Sequence, residues 1–290
     1  MPESNACHTG LHSVFGQVVF NRLLPGGHGL LRLFVGELAG KVGPGQFVHL
    51  TCDDSLTLPR PFSLMDANPH QGTVDLFYRI VGRGTELMAA WKEGIQVKLL
   101  MPLGHPFVWP DLHTHFLLLA GGAGLAPIHF LARRLVRTGV NMTLLWGIET
   151  ESPLETIVKQ DDQSLALAEL DGLGIVSRLA SLTPRAGRFQ GYVTDLAVEI
   201  LASLDEERRS NTLLYACGPH PMLVAVHRLA TRFGLKGQVS LEERMACGFG
   251  GCAACVAPIR TQDGAWSYQK ICTDGPVFSL SDVVWEQYGA

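Results

Sequence analysis

Four cysteines near the C-terminus carry the most specific chemistry in the chain. Cys247, Cys252 and Cys255 form a C-x4-C-x2-C run, and Cys272 follows after sixteen residues. Four thiolates in this array can hold two irons bridged by two sulfides, and the spacing is that of a plant-type [2Fe-2S] site. A loop that supplies three ligands must curl around its cluster. Gly248, Gly250, Gly251, Ala253 and Ala254 give it small side chains and permissive backbone angles, with amides free to hydrogen-bond the sulfurs. Two other uses of the four cysteines stay open. Structural zinc favours paired C-x2-C knuckles, and only one pair here has that spacing. A disulfide framework would be odd with three cysteines in a nine-residue Gly/Ala-rich loop.

Two further sets of residues suit phosphates and rings. Arg60-Pro61-Phe62-Ser63 places an arginine and a hydroxyl at the start of a strand, where they can hold a diphosphate, the arginine bidentately. In the run from Phe77, Tyr78 and Arg79 to Gly84 and Thr85, Tyr78 could stack on an isoalloxazine face. Gly84-Thr85 would add free amides at a helix start, with Thr85 as its cap. The plainer alternatives are an ordinary barrel aromatic at Tyr78 and a simple turn at Arg60-Pro61. Gly121-Gly122-Ala123-Gly124 follows an apolar run and lets backbone approach a pyrophosphate, though G-G-x-G falls short of the full dinucleotide fingerprint. Cys217-Gly218-Pro219 ends a later strand and would form the other side of a cleft. Cys217 would either shape a nicotinamide pocket or pack as a small residue. His49, His70 and His105 show no ligand spacing and read as surface or core residues.

The elements that must position these residues fall into three groups. Short runs at residues 14–21, 30–38, 46–51, 62–66, 73–80 and 96–101, punctuated by Pro25-Gly26-Gly27, Gly43-Pro44-Gly45 and Asn68-Pro69, predict an antiparallel barrel. One helix is expected there, over 85–93. From about residue 113 strands and helices alternate: strands at 116–120, 141–146, 174–179 and 212–216, helices to about 138 and at 154–160, 192–204 and 221–233. Such alternation implies a mostly parallel sheet that binds ligands at the carboxyl ends of its strands. After Gly234 the chain is expected to leave this domain. Strands at 256–259 and 266–268, turning at Asp263-Gly264, would return Cys272 to the other three cysteines. The expected fold is multidomain β plus α/β: a barrel over 1–111 with residues 1–13 unassigned, a nucleotide-binding α/β domain over 112–236, and a small cluster domain over 237–290.

Composition bounds the function. Apolar residues make up 47% of the 290, charged residues 17%, and the net charge is −4, which argues against binding nucleic acid through phosphates. The apolar stretch 116–132 is broken by glycines and Pro127 and carries His129, so it reads as strand, turn and helix, with no membrane span. The first sixteen residues lack a signal-peptide pattern. Seven cysteines, four in metal-ligand spacing, point to a reducing cytoplasm.

The order barrel, dinucleotide domain, cluster resembles the ferredoxin-reductase-like flavoproteins. More narrowly, the chain resembles the electron-transfer subunits of type B dihydroorotate dehydrogenase. The resemblance runs from about residue 14 to 278. It rests on Arg60 to Ser63, Tyr78 to Thr85, Gly121 to Pro127, Cys217-Gly218-Pro219 with Met222, and Glu243 to Cys255 closing at Cys272-Thr273-Asp274-Gly275-Pro276. It implies FAD held by Arg60, Pro61, Phe62, Ser63, Phe77, Tyr78, Arg79, Gly84 and Thr85. Gly121, Gly122, Gly124, Cys217, Gly218 and Pro219 would line a pyridine-nucleotide site. Family members work in a heterotetramer with an FMN-containing catalytic subunit, whose electrons cross the [2Fe-2S] cluster and FAD to NAD+ in pyrimidine synthesis. No general acid/base pair is then required on this chain. Related subunits serve NADPH:ferredoxin transhydrogenases, sulfide dehydrogenases and hydrogenases, and a redox-sensing regulator is a further alternative. In place of the acidic turn expected after the third strand stand Ser181 to Arg188. Arg185 or Arg188 would suit the 2′-phosphate of NADP, whereas Glu149 suits the ribose hydroxyl of NAD, which we expect. Phe249 and Met245 are apolar candidates for the partner surface.

Overall fold

The computed structural model describes residues 10–110 and 115–288. Cys7 and the expected 111/112 boundary lie outside the described residues. The first six strands are β1 (His12–Leu24), β2 (His28–Phe34), β3 (Phe47–Leu50), β4 (Arg60–Asn68), β5 (Thr73–Arg79) and β6 (Gln96–Leu103). They close an antiparallel barrel in the order β1-β2-β5-β4-β3-β6. Period-2 alternation explains it: Leu31 and Leu33, Val74, Leu76 and Tyr78, and Val97, Leu99 and Met101 all point inward and are buried. A fully buried side chain of this size contributes about 1.5–3 kcal/mol. The second strand stops at Phe34, short of the expected residue 38, because Gly36 takes a φ of +62° and starts a 3-10 helix, Gly36–Lys41.

Helix α1 (Arg83–Ala89) begins two residues earlier than expected. Thr85 lies inside its first turn and helps cap it from there, with Gly82 at the N-cap position. Its Oγ1 accepts from the N–H groups of Val81 (2.9 Å) and Gly82 (3.3 Å), which shapes the turn between β5 and the helix.

The second half contains β7 (His115–Gly121), α2 (Leu125–Leu135), β8 (Met142–Gly147), β9 (Thr156–Val158), β10 (Leu165–Leu167), α3 (Ala168–Gly172), β11 (Val176–Ser181), β12 (Phe189–Gln190), α4 (Val193–Ser203), α5 (Glu206–Ser210), β13 (Thr212–Cys217), α6 (His220–Phe233) and β14 (Lys236–Ser240). After these come β15 (Val256–Arg260), β16 (Trp266–Lys270) and β17 (Val277–Ser279). A seven-stranded sheet runs β12-β11-β8-β7-β13-β14-β17, parallel except for β17. The chain works outward from β7 in one direction through β8 and β11, then returns to build β13 and β14 on the other side. The reversal opens a crevice between the carboxyl ends of β7 and β13.

Two expectations are corrected here. Residues 154–160 are not a helix: β9 pairs antiparallel with β10, since Thr156, Ile157 and Val158 are consecutive β-branched residues and Gln163 makes the turn at a φ of +57°. The chain also does not leave the sheet at 236, because β14 pairs with β13 along its whole length. The C-terminal segment packs directly on the nucleotide domain. Ala257, Ile259, Ile271, Phe278 and Trp285 share one core with Leu214, Leu223 and Val226 of the nucleotide domain.

The barrel is fastened to the sheet by α2. His129 Nδ1 lies 3.3 Å from the Met65 carbonyl and its Nε2 3.3 Å from Glu169, while Arg133 bridges Asp66 (3.0 Å) and Glu169. Phe77 points out of the barrel and meets Trp146 edge to face at 6.4 Å.

Candidate functional site

A cavity of about 650 Å³ opens between the barrel and the sheet. All nine residues marked for a flavin line it: Arg60, Pro61, Phe62, Ser63, Phe77, Tyr78, Arg79, Gly84 and Thr85. The antiparallel pairing of β4 with β5 and the β5–α1 turn bring the two sequence patches to one wall. Arg60 lends one nitrogen to the carbonyls of Leu58 (2.5 Å) and Pro59 (3.3 Å), which fixes its guanidinium at the rim. Tyr78 is buried, with its hydroxyl donating to Asn21 Oδ1 at 2.9 Å and its ring edge-on to Phe62 at 6.3 Å. Burial raises its phenol above the ordinary value. The opposite wall is Glu242 to Met245, the run that leads into the cysteines. Met245 is half-buried in this wall, whereas Phe249 is 53% exposed.

A second cavity, about 760 Å³, lies at the carboxyl ends of the strands and is lined by Gly121, Gly122, Gly124 and Pro219. Cys217 and Gly218 are not in its wall but stand behind it. They fix its shape, because the two turns touch backbone to backbone. A Cβ on Gly124 would sit 2.4 Å from the Cys217 carbonyl oxygen, so only glycine fits. The Gly122 carbonyl is held by Trp146 Nε1 at 2.9 Å. Arg79, Val81, Ala123 and Glu242 line both cavities, so ligands filling the two would touch. Such a meeting point is where a hydride could pass from ring to ring.

Glu242 is crowded by protein on several sides, yet its side chain is exposed toward these two cavities. The Cys217 thiol donates to its Oε1 at 3.8 Å. Burial raises the Glu242 carboxyl, and burial followed by the nearby Glu242 pushes the Cys217 thiol well up. The thiol therefore stays protonated and acts as a packed hydrogen-bond donor rather than a nucleophile.

At the far end of the second cavity, Glu149 accepts from the N–H groups of Leu182 (2.8 Å) and Thr183 (3.3 Å). Arg188 is engaged by the carbonyls of Ile148 (2.9 Å) and Thr150 (2.8 Å). Arg185 is exposed in the loop beyond.

The cysteine loop starts two residues after Met245. Pairing of Val256 with Lys270 in the β15–β16 hairpin returns Cys272 beside Cys255, as the sixteen-residue gap predicts. The loop curls because Gly248, Gly250 and Ala253 all take positive φ. Among the described residues no three His, Cys, Asp or Glu side chains close on one point. The thiols lie instead as two pairs within hydrogen-bonding reach, Cys247 with Cys252 and Cys255 with Cys272. Four cysteine thiols are the donor set that a [2Fe-2S] cluster would take. Burial pushes the Cys247 thiol up, but backbone N–H groups of Phe249, Cys252 and Gly251 and the Cys252 side chain outweigh it and bring it down to about 7. Those amides would equally stabilise a metal-bound thiolate. Cys272 is pushed up to about 12 by burial and then by Cys255, a cost that bound iron would remove. The residues present fit a [2Fe-2S] cluster.

Two family models match: the iron-sulfur cluster binding domain of dihydroorotate dehydrogenase B over residues 242–284, and the oxidoreductase NAD-binding domain over 118–228. The dihydroorotate dehydrogenase B (NAD(+)) electron transfer subunit of Shouchella clausii (strain KSM-K16) is 36% identical over 258 residues, 86% of this chain and 90% of that protein. That of Bacillus mycoides (strain KBAB4) is 34% identical over 246 residues, 83% and 86% of the two. A solved structure of NADH-dependent reduced ferredoxin–NADP oxidoreductase superposes with a TM-score of 0.77 over 96% of this chain and 92% of that one, at 24% identity, a likeness of fold. With its barrel, its two abutting cavities and its paired cysteines, the chain belongs to the family of electron transfer subunits of dihydroorotate dehydrogenase B.

Proposed function

We propose that this chain takes electrons from a catalytic partner at its cysteine loop and delivers them to NAD+. The partner is an FMN-containing dihydroorotate dehydrogenase subunit in a cytoplasmic heterotetramer, and the pathway is pyrimidine synthesis. When bound, a [2Fe-2S] cluster supplies one-electron transfer and FAD converts single electrons into a hydride equivalent. This chain's own residues bind and align. Cys247, Cys252, Cys255 and Cys272 would hold the cluster. Arg60, Ser63 and Thr85 would hold the FAD diphosphate, while Phe62 and Tyr78 pack inside the barrel behind that wall. Gly121, Gly122 and Gly124 let the nucleotide pyrophosphate approach the turn.

One observation carries the proposal. Residues 240–245 line the flavin cavity and lead in two steps to the first cluster ligand, while Glu242 of the same run borders the nucleotide cavity. Three cofactor sites thus lie along one short segment. NAD is favoured over NADP because Glu149 presents a carboxylate pre-oriented by two amides, and Nη1 of Arg188 is turned to the carbonyls of Ile148 and Thr150. Among the described residues no helix is long and apolar enough to cross a membrane.

Anaerobic purification with iron, sulfide and flavin assays tests the cofactor assignment, with about two irons and about one FAD per chain expected. Co-expression with the FMN-containing subunit should then give dihydroorotate-dependent NADH formation. A colourless zinc protein would overturn the electron-transfer assignment. A flavin and cluster protein that couples only to ferredoxin, sulfide or hydrogen would overturn the choice of partner.

A further inference from the structure

His49 has no part in the function as described so far. It lies on β3, 1% exposed, directly across from Pro61 of the flavin wall. Its ring packs under the cysteine loop so closely that a Cβ on Gly248 would stand 2.5 Å from Nδ1. The imidazole is within reach of the carbonyls of Cys247 and Pro59, yet neither Nδ1 nor Nε2 closes a well-formed hydrogen bond. A buried nitrogen with no partner is costly, so a small closing of the cysteine loop that lets the ring N–H meet the Cys247 carbonyl is favoured. The Pro59 carbonyl also receives the Arg60 guanidinium at 3.3 Å. Cys247, His49, Pro59 and Arg60 therefore form one polar line from the first cluster ligand to the arginine of the flavin cavity.

We propose that His49 is a positioning residue for the iron–sulfur site: its N–H holds the Cys247 carbonyl against β3 and ties the ligand loop to the flavin-binding strand. The inference rests on the cluster assignment made above. Partners that orient a ligand without touching the metal change retention of the metal and its electronic environment. Gly248 is then required twice, for its φ of +76° and for the space that His49 takes.

The test uses the full chain with cluster and FAD loaded, comparing wild type with His49→Ala, His49→Phe and His49→Gln. Iron release to a chelator and the EPR line shape of the reduced cluster are the readouts. His49→Phe fills the space without an N–H, so it separates hydrogen bonding from packing. His49→Gln keeps a donor and should restore much of the wild-type behaviour. We expect His49→Ala and His49→Phe to lose iron about ten-fold faster or more, with shifted EPR features and flavin content maintained. If His49→Ala fails to fold, the contrast of Phe with Gln carries the same decision. Wild-type iron retention and spectra in His49→Phe would overturn the proposal, as would equal loss in Phe and Gln variants. A wild-type chain without cluster iron would instead overturn the cluster assignment itself, so the two failures are distinguishable.

Discussion

Replacing Glu149 by glutamine should change which nicotinamide nucleotide the chain prefers, and the structure sets the size of the effect. Each carboxylate oxygen of Glu149 already takes one backbone N–H, from Leu182 and Thr183, leaving lone pairs for ribose hydroxyls. Glutamine keeps the shape but has only one accepting atom and no charge. Exchanging a charge-assisted hydrogen bond for a neutral one costs about 1–2 kcal/mol, roughly 5- to 30-fold in NADH affinity. A 2′-phosphate of NADPH, nearly doubly charged, would be freed from repulsion of about 1 kcal/mol per unit charge at 4 Å in water, roughly 30-fold in its favour. The ratio of kcat/KM for NADH over NADPH, measured with ferricyanide on the flavin-loaded chain, should fall by roughly two to three orders of magnitude. An unchanged ratio would refute the assignment of Glu149 to the ribose. Equal loss with both nucleotides would mean that the side chain only holds the 182–183 turn.

Trp146→Phe should weaken both the fold and nucleotide binding. It empties part of a fully buried site and orphans the Gly122 carbonyl, together about 2–4 kcal/mol, so an unchanged urea midpoint would contradict the role given to that bond. Acid should loosen the clamp between barrel and sheet. The His129 side chain, then Arg133, hold Glu169 down to about 2. A depressed carboxylate contributes stability that is present above its unfolded value near 4.5 and lost as pH falls toward 2. Because Glu169 is half-exposed, salt will shrink the effect. Glu169→Gln should flatten the fall of the urea midpoint below about pH 4.5, and an identical fall would rule the clamp out. Cys255→Ser should abolish the visible cluster absorption. Cys52→Ser should leave it intact, since Cys52 is a buried thiol that donates to the Leu50 carbonyl inside the barrel.

Local patterns alone specified much of this molecule. The C-x4-C-x2-C spacing dictated a curled, glycine-rich loop, and the sixteen-residue gap predicted the hairpin that returns Cys272. Short runs broken by Pro25-Gly26-Gly27, Gly43-Pro44-Gly45 and Asn68-Pro69 announced barrel strands, and the apolar run before Gly121 announced the first parallel strand. All of these depend on neighbours within a few residues or one hairpin, so their physical consequences can be read along the chain. The same local patterns misled at Thr156–Val158, where three β-branched residues formed a hairpin rather than a helix.

Only the tertiary structure decided which distant groups meet. Arg79 and Glu242 border the same two cavities although more than 160 residues separate them. Glu149 turned out to cap the loop holding Leu182 and Thr183, and Arg188 to be held by carbonyls, which composition could not distinguish from solvated loop charges. His49 looked like any core histidine until β3 placed it beneath Gly248. The physical reason is that sheet order is settled by which apolar faces bury one another, as when β14 joined β13 and carried the cysteine loop against the barrel. That choice is made by contacts between faces far apart in the chain, and no spacing within either segment records it.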